Sequence, residues 1–241
     1  MYGSDEFLGK VAVITGASGN LGSAIVRALK ERGAKLALID KNAESQRQKY
    51  PELADSDDYL LSDGIDLTQP DQVKDSLDAA LSHFGRIDIL INSAGGFRAG
   101  KPIHETSEET WQFMLDLNAG SVFSSSRIII PMMIAAGGGK IVNVAARAGL
   151  VGAANMSAYS VSKSAVVRLT ESIAAEVGDS GINVNCVLPG TIDTPQNRQA
   201  MPNGAFDRWV KPADLAEVIL FLSSDHSRAI NGAAIPVYGR S

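Results

Sequence analysis

Tyr159 and Lys163 stand four residues apart in the run Tyr-Ser-Val-Ser-Lys. On a helix that spacing puts both side chains on one face, where they address a common point. An ammonium beside a phenol favours the phenolate and draws the tyrosine pKa down toward working pH. A phenol so tuned gives and takes a proton during a reaction. The pair therefore predicts a lowered pKa at Tyr159.

A second pattern is Thr15-Gly-Ala-Ser-Gly-Asn-Leu-Gly22. Glycines there permit a tight turn and close backbone approach, and a helix beginning within it offers unpaired N–H groups to a pyrophosphate. Gly16, Ser18, Asn20, Leu21 and Gly22 are candidate dinucleotide contacts. Asp40 follows Gly16 by 24 residues, close to the ~20 at which a carboxylate accepts hydrogen bonds from ribose hydroxyls. A carboxylate at that point repels a 2′-phosphate. The turn itself holds no Arg or Lys, although Lys41 follows Asp40 directly. NAD(H) is expected in preference to NADP(H).

These residues need elements to position them. Val11 to Thr15 reads as a strand, followed after the turn by a helical pattern to Arg32, with Ala24, Ile25, Ala28 and Leu29 on one face and Gly33 ending it. Further strands are expected at Lys35–Asp40, Tyr59–Asp66, Ile87–Asn92, Lys140–Ala145, Ile182–Leu188 and Ala234–Val237. Amphipathic helices are expected at Asp71–Phe84, from a capping box at Thr106–Glu109 onward, and from about Tyr159 to Val177. Strands that alternate with helices and are apolar on both faces specify a parallel sheet covered on each side. The expected fold is α/β: one doubly wound Rossmann-type domain over residues 1–241, with a parallel sheet of about seven strands.

Composition narrows the function classes. The 241 residues are 45% hydrophobic and 20% charged, with a formal net charge of −5. That balance lacks the footprint of a nucleic-acid binder. One cysteine, Cys186, allows no internal disulfide, and the three histidines show no ligand spacing, so no metal site is expected. The start, Met1 to Lys10, lacks the pattern of a signal peptide. The most apolar stretch, Ile128 to Ala136, falls short of the ~18 residues a membrane span needs. A soluble, cytoplasmic protein acting on a small molecule is the expectation.

The glycine turn, Asp66-Leu67, Asn92-Ser-Ala-Gly95, Asn118, Tyr159-x-x-x-Lys163 and Pro189-Gly190 together resemble the short-chain dehydrogenase/reductase family, in the right order along nearly the whole chain. The resemblance implies that Asp66 and Leu67 frame an adenine, that Asn92, Ala94 and Gly95 line the cofactor, and that Pro189, Ile192 and Thr194 flank the nicotinamide. It implies Tyr159 as proton donor, Lys163 as partner to both the tyrosine and the nicotinamide ribose, and Asn118 in a water relay. Residues 193–210 would form a short substrate lid with helix content limited by its prolines, and the protein would pair as a homodimer or homotetramer. The usual Asn-Asn-Ala-Gly stands here as Asn-Ser-Ala-Gly, which puts one sheet-bracing side chain in question.

The family also places a serine thirteen residues before the tyrosine, as a donor to the substrate oxygen. Position 146 is alanine, and Ala145 offers no hydroxyl either. Loss of such a donor costs on the order of 10²–10³ in rate. Ser157, Asn155 and Arg147 lie nearby in sequence. The segment Asp193 to Pro202, continuing to Phe206 and Trp209, resembles dihydropteridine reductases, which also lack this serine. A quinonoid dihydropterin spreads arriving charge over a conjugated ring and relieves the demand for the missing donor, while Phe97 or Trp209 could stack on a flat ring. The alternatives are a carbonyl (3-oxoacyl-type) reductase or alcohol dehydrogenase, and a dinucleotide-binding protein without catalysis.

Overall fold

The structure, a computed structural model, describes residues 5–53 and 56–240; the first four residues of the chain, part of the start read above, lie outside them. Seven strands form one sheet: β1 (Val11–Thr15), β2 (Lys35–Asp40), β3 (Tyr59–Asp63), β4 (Ile89–Asn92), β5 (Gly139–Val144), β6 (Ile182–Pro189) and β7 (Ala234–Val237). Their order is β3-β2-β1-β4-β5-β6-β7, and every pairing is parallel. The helices are α1 (Asn20–Lys30), α2 (Ala43–Lys49), α3 (Pro70–Phe84), α4 (Glu108–Met114), α5 (Ser121–Ala135), α6 (Ser157–Val177), α7 (Pro195–Ala200) and α8 (Pro212–Ser223). The expected α/β architecture is present as a single domain.

Alternation within the strands explains the two-sided core. Ala12 and Ile14 of β1, Leu36 and Leu38 of β2 and Ile89 and Ile91 of β4 face α1 and α8. Val11 and Val13, Ala37 and Ile39, and Leu90 face α3, α5 and α6. A strand buried on both faces cannot alternate apolar with polar, which is why β1 and β2 read as continuous apolar runs.

The strand order reverses between β1 and β4, whose last residues, Thr15 and Asn92, pair directly. The connections leaving these two strands diverge to opposite faces and open a crevice at the strands' carboxyl ends, where ligands of such sheets bind.

Two differences from the sequence expectation have local causes. The capping residue of the fourth helix is Ser107, whose Oγ accepts the Thr110 N–H at 3.2 Å, one position later than the Thr106 box suggests. Residues Leu115–Gly120 form a π-helical turn between α4 and α5, a local widening of the kind found at functional sites. The α-helix within residues 193–210 is limited to the six residues of α7, which Pro195 opens, where a helix needs no N–H from its first residue; Pro212 opens α8 in the same way.

Candidate active site

The glycine turn after β1 is shaped by contacts that exclude side chains. Gly16 has φ +68°, and a Cβ there would lie 2.8 Å from Ala94 Cα. At Gly22 a Cβ would fall 2.1 Å from the Gly16 carbonyl oxygen. These two positions bring the start of α1 against the end of β4. No side chain caps the first turn of α1, so its electropositive amide end is presented for an anion. Asp40, at the end of β2, accepts the Ser18 N–H at 2.8 Å and the Asn42 N–H at 3.0 Å, which fixes its carboxylate beside the turn.

The far rim of the crevice carries Asp66 and the buried Leu67. Lys41 Nζ donates to Asp66 Oδ2 at 2.6 Å, and Thr68 donates to Oδ1 from its N–H and its hydroxyl. These bonds hold the Asp66 carboxyl down at about 2. Lys49 of α2 reaches back to donate to the Ser18 carbonyl, and Tyr50 donates to the Ala17 carbonyl at 2.7 Å. Neither contact carries a signal in the sequence, because each joins residues more than thirty apart on different elements.

At the carboxyl ends of β4 and β5, Asn118 and Lys163 meet at Gly95, and Tyr159 is linked to them through Ser162. Asn118, buried in the π turn, accepts the Gly96 N–H at 3.0 Å through Oδ1 and donates through Nδ2 to Ser162 Oγ at 3.0 Å. Ser162 in turn donates to the Tyr159 carbonyl at 2.8 Å. A Cβ on Gly95 would lie 2.9 Å from Asn118 Oδ1 and 3.1 Å from Lys163 Nζ, so glycine alone leaves the lysine its place. The Phe97 ring stands edge to face with Tyr159 at 4.8 Å between centroids.

The electrostatics differ from the expected lowering of the tyrosine. Burial pushes the Tyr159 phenol up to about 12, and burial pushes the Lys163 ammonium down to about 8. Lys163 donates to the Val144 carbonyl at 2.9 Å, not to the tyrosine hydroxyl, and desolvation is the largest influence on both residues.

Ala146 is buried at 6% exposure in extended backbone (φ −165°) just after β5, and brings no hydroxyl. Asn92 is turned into the protein: its Nδ2 donates to Asn143 Oδ1 at 2.9 Å and its Oδ1 accepts from Ser125 Oγ at 2.8 Å. What Asn92 offers the crevice is therefore backbone. The bracing questioned at Asn-Ser-Ala-Gly is retained, because Ser93 Oγ donates to the Thr15 carbonyl at 2.6 Å and ties β4 to β1.

Pro189 ends β6, and Ile192 pairs with Val210 in a parallel bridge. Thr194 caps α7 by accepting the Asn197 N–H at 3.1 Å. Asn20 donates to Gln196 at 2.8 Å, joining the glycine turn to α7. Trp209 packs on Phe206 at 4.9 Å and over Gly204, which commits it to the segment's own packing.

The family profile described as short chain dehydrogenase matches residues 10–204. The chain belongs to this family. Similar members include the cyclohexanol dehydrogenase of Acinetobacter sp. (strain SE19), 32% identical over 98% of this chain and 96% of that protein. The cis-4-hydroxycyclohexanecarboxylate dehydrogenase of Sinomonas cyclohexanicum is 36% identical over 98% of this chain and 97% of that protein. Among solved structures, levodione reductase superposes on this short-chain dehydrogenase with a TM-score of 0.90, at 30% identity over 97% of each chain. These relatives lend no support to a dihydropteridine substrate. Enzymes of this family use NAD(P)(H), and the crevice of this short-chain dehydrogenase fits such a dinucleotide: Gly16 and Gly22 leave room that a Cβ would fill, beside an open helix end and a fixed carboxylate.

Proposed function

We propose that this short-chain dehydrogenase interconverts a secondary alcohol and a ketone on a small cyclic substrate, with NAD(H) preferred. The reading rests on one observation, the meeting of Asn118 and Lys163 at Gly95, with Tyr159 linked to Asn118 through Ser162. The names of the relatives, which concern cyclic alcohols and a cyclic dione, support the substrate class.

The residues divide the work. Gly16, Ser18, Asn20, Leu21 and Gly22 would hold the pyrophosphate, Asp40 the adenosine ribose, and Asp66 and Leu67 the adenine. The backbone of Asn92, Ala94 and Gly95 would line the cofactor, with Pro189, Ile192 and Thr194 beside the nicotinamide. A bound nicotinamide would supply the hydride chemistry, between the carbinol carbon of the alcohol and the carbonyl carbon of the ketone. Tyr159 moves the accompanying proton, taking it from the alcohol oxygen in oxidation and giving it back in reduction. Lys163 supplies positive charge near the phenol, and Asn118, through Ser162 and the Gly96 backbone, holds the lysine's surroundings in place. Residues 193–210 cover the pocket as a lid. NAD(H) is favoured by Asp40, whose carboxylate would repel a 2′-phosphate.

The test is NADH oxidation with cyclohexanone and NAD reduction with cyclohexanol. Turnover that drops by about 10²–10⁴ in Tyr159→Phe supports the reading. Undiminished turnover in that variant, or none in the wild type, overturns it.

A second reading, reduction of a flat conjugated acceptor such as a quinonoid dihydropterin, draws on Ala146 and on Phe97, 63% exposed beside Tyr159. Turnover of the pterin well above that of cyclohexanone would favour it. We also propose a homodimer or homotetramer in the cytoplasm: Trp111, Phe123 and Val161 are exposed apolar side chains on α4, α5 and α6, while Val166 and Ile173 belong to the core. No helix among the described residues is long and apolar enough to cross a membrane.

A further inference from the structure

A cavity of about 150 Å³ lies between the segment after β4 and the start of α6, lined by Arg98, Lys101, Ser107, Thr110, Asn155 and Ala158 among others. Its lining is next in sequence to the active site on both segments: Arg98 follows Phe97 and Ala158 precedes Tyr159, whose rings lie 4.8 Å apart. Its described lining carries two cations, several hydroxyls and no carboxylate.

The cavity is held in shape. The Arg98 guanidinium lies over the Phe113 ring, 3.7 Å from its centroid, which orients the planar fork. Its ion-pair partner Glu109 sits 3.6 Å away with a side chain 85% exposed, a contact weak enough for a ligand to displace. Asn155 adopts φ +62°, the left-handed region that asparagine enters more readily than most residues with a side chain. In that conformation its carbonyl accepts the Gly100 N–H at 2.9 Å, so the cation-bearing segment is pinned against the start of α6.

We propose that this cavity receives a carboxylate carried on the ring of the substrate, and that Arg98 and Lys101 set a preference for anionic over neutral cyclic ketones and alcohols. Arg98 meets the carboxylate in bidentate fashion, Lys101 adds a point charge, and Thr110, whose hydroxyl accepts from Ser107 and so keeps its own hydrogen, donates to a remaining lone pair. The proposal rests on the alcohol–ketone reading above for its reaction, and on the cavity alone for its binding.

The experiment compares 4-oxocyclohexanecarboxylate with 4-methylcyclohexanone in the NADH-dependent reaction, in wild type and in an Arg98→Met, Lys101→Met double variant. The ratio of kcat/KM, anionic over neutral, is expected to fall by about ten- to a hundredfold in the variant, mainly through KM, and to fall in wild type as salt is added. A ratio unchanged by the substitutions overturns the proposal and leaves the alcohol–ketone reading standing.

If neither ketone is reduced, that reading fails, and calorimetry decides the cavity separately. With NADH present, cyclohexanecarboxylate is expected to bind wild type and not the double variant, whereas cyclohexanecarboxamide binds neither. Equal binding to both proteins, or none to wild type, overturns the proposal. Should the double variant melt early, the exposed Lys101→Met alone is expected to lower the same ratio, and no change there overturns it.

Discussion

Lys163, on α6 and only 5% exposed, donates its ammonium hydrogen to the carbonyl oxygen of Val144 across 2.9 Å. This bond holds the lysine at the end of β5, where no ion pair with a carboxylate among the described residues offsets the cost of burying its charge.

That cost has a pH signature. The ammonium is pushed down to about 8 from an ordinary 10.5. Between those values the unfolded chain binds more protons than the folded protein, so stability rises with pH through that window and is lower below it. Lys163→Met should therefore raise the melting temperature at pH 7, by about 2–4 °C for each kcal/mol recovered, while activity collapses. The gain over wild type should shrink from pH 8 to pH 10. Calorimetric scans across that range check it, and a variant no more stable at pH 7 would count against the buried charge.

Ala146 offers the most direct gain of function. Ala146→Ser restores a hydroxyl at the end of β5, where a donor to developing negative charge is worth as much as 10²–10³ in rate. Ketone reduction should rise by at least about tenfold, with no comparable rise for a quinonoid dihydropterin. Initial rates on both substrates test this, and equal effects on the two would remove the chemical argument for the pterin.

Asn143 stands in a buried chain of side-chain hydrogen bonds, between the Asn92 amide and the Thr170 hydroxyl. It accepts from Asn92 at 2.9 Å and donates to Thr170 Oγ1 at 2.9 Å. Asn143→Ala leaves both partners buried without it, and should cost about 1–3 kcal/mol in urea unfolding. A change below half a kilocalorie would mean that the neighbours re-pair.

The proposed preference for NAD(H) is tested at Asp40, whose replacement should shift it. Asp40→Ala removes the repelling carboxylate while leaving Lys41 and Lys49 on the same side of the crevice. The ratio of kcat/KM for NADH over NADPH should fall by at least about tenfold, a change of ~1.4 kcal/mol. An unaltered ratio would mean that other groups set the choice.

Much of this protein is determined by the sequence on its own. The strands of a two-sided parallel sheet are continuous apolar runs because each buries both faces. The glycine turn, Asp40 and the Tyr159–Lys163 spacing are legible because each is a short-range pattern whose chemistry depends on residue type and local separation. The missing hydroxyl at Ala146 is legible for the same reason. The tertiary structure alone decided what depends on residues far apart meeting in a dry interior. It raised the Tyr159 pKa where spacing predicted lowering, because burial penalises a charge by the depth of its surroundings, which no local pattern records. It turned Asn92 into the sheet toward Asn143, showed Ser93 bracing β1, and brought Lys49 to the glycine turn. It also set Arg98 and Lys101 around one cavity, a grouping that came from packing the segment after β4 against the start of α6.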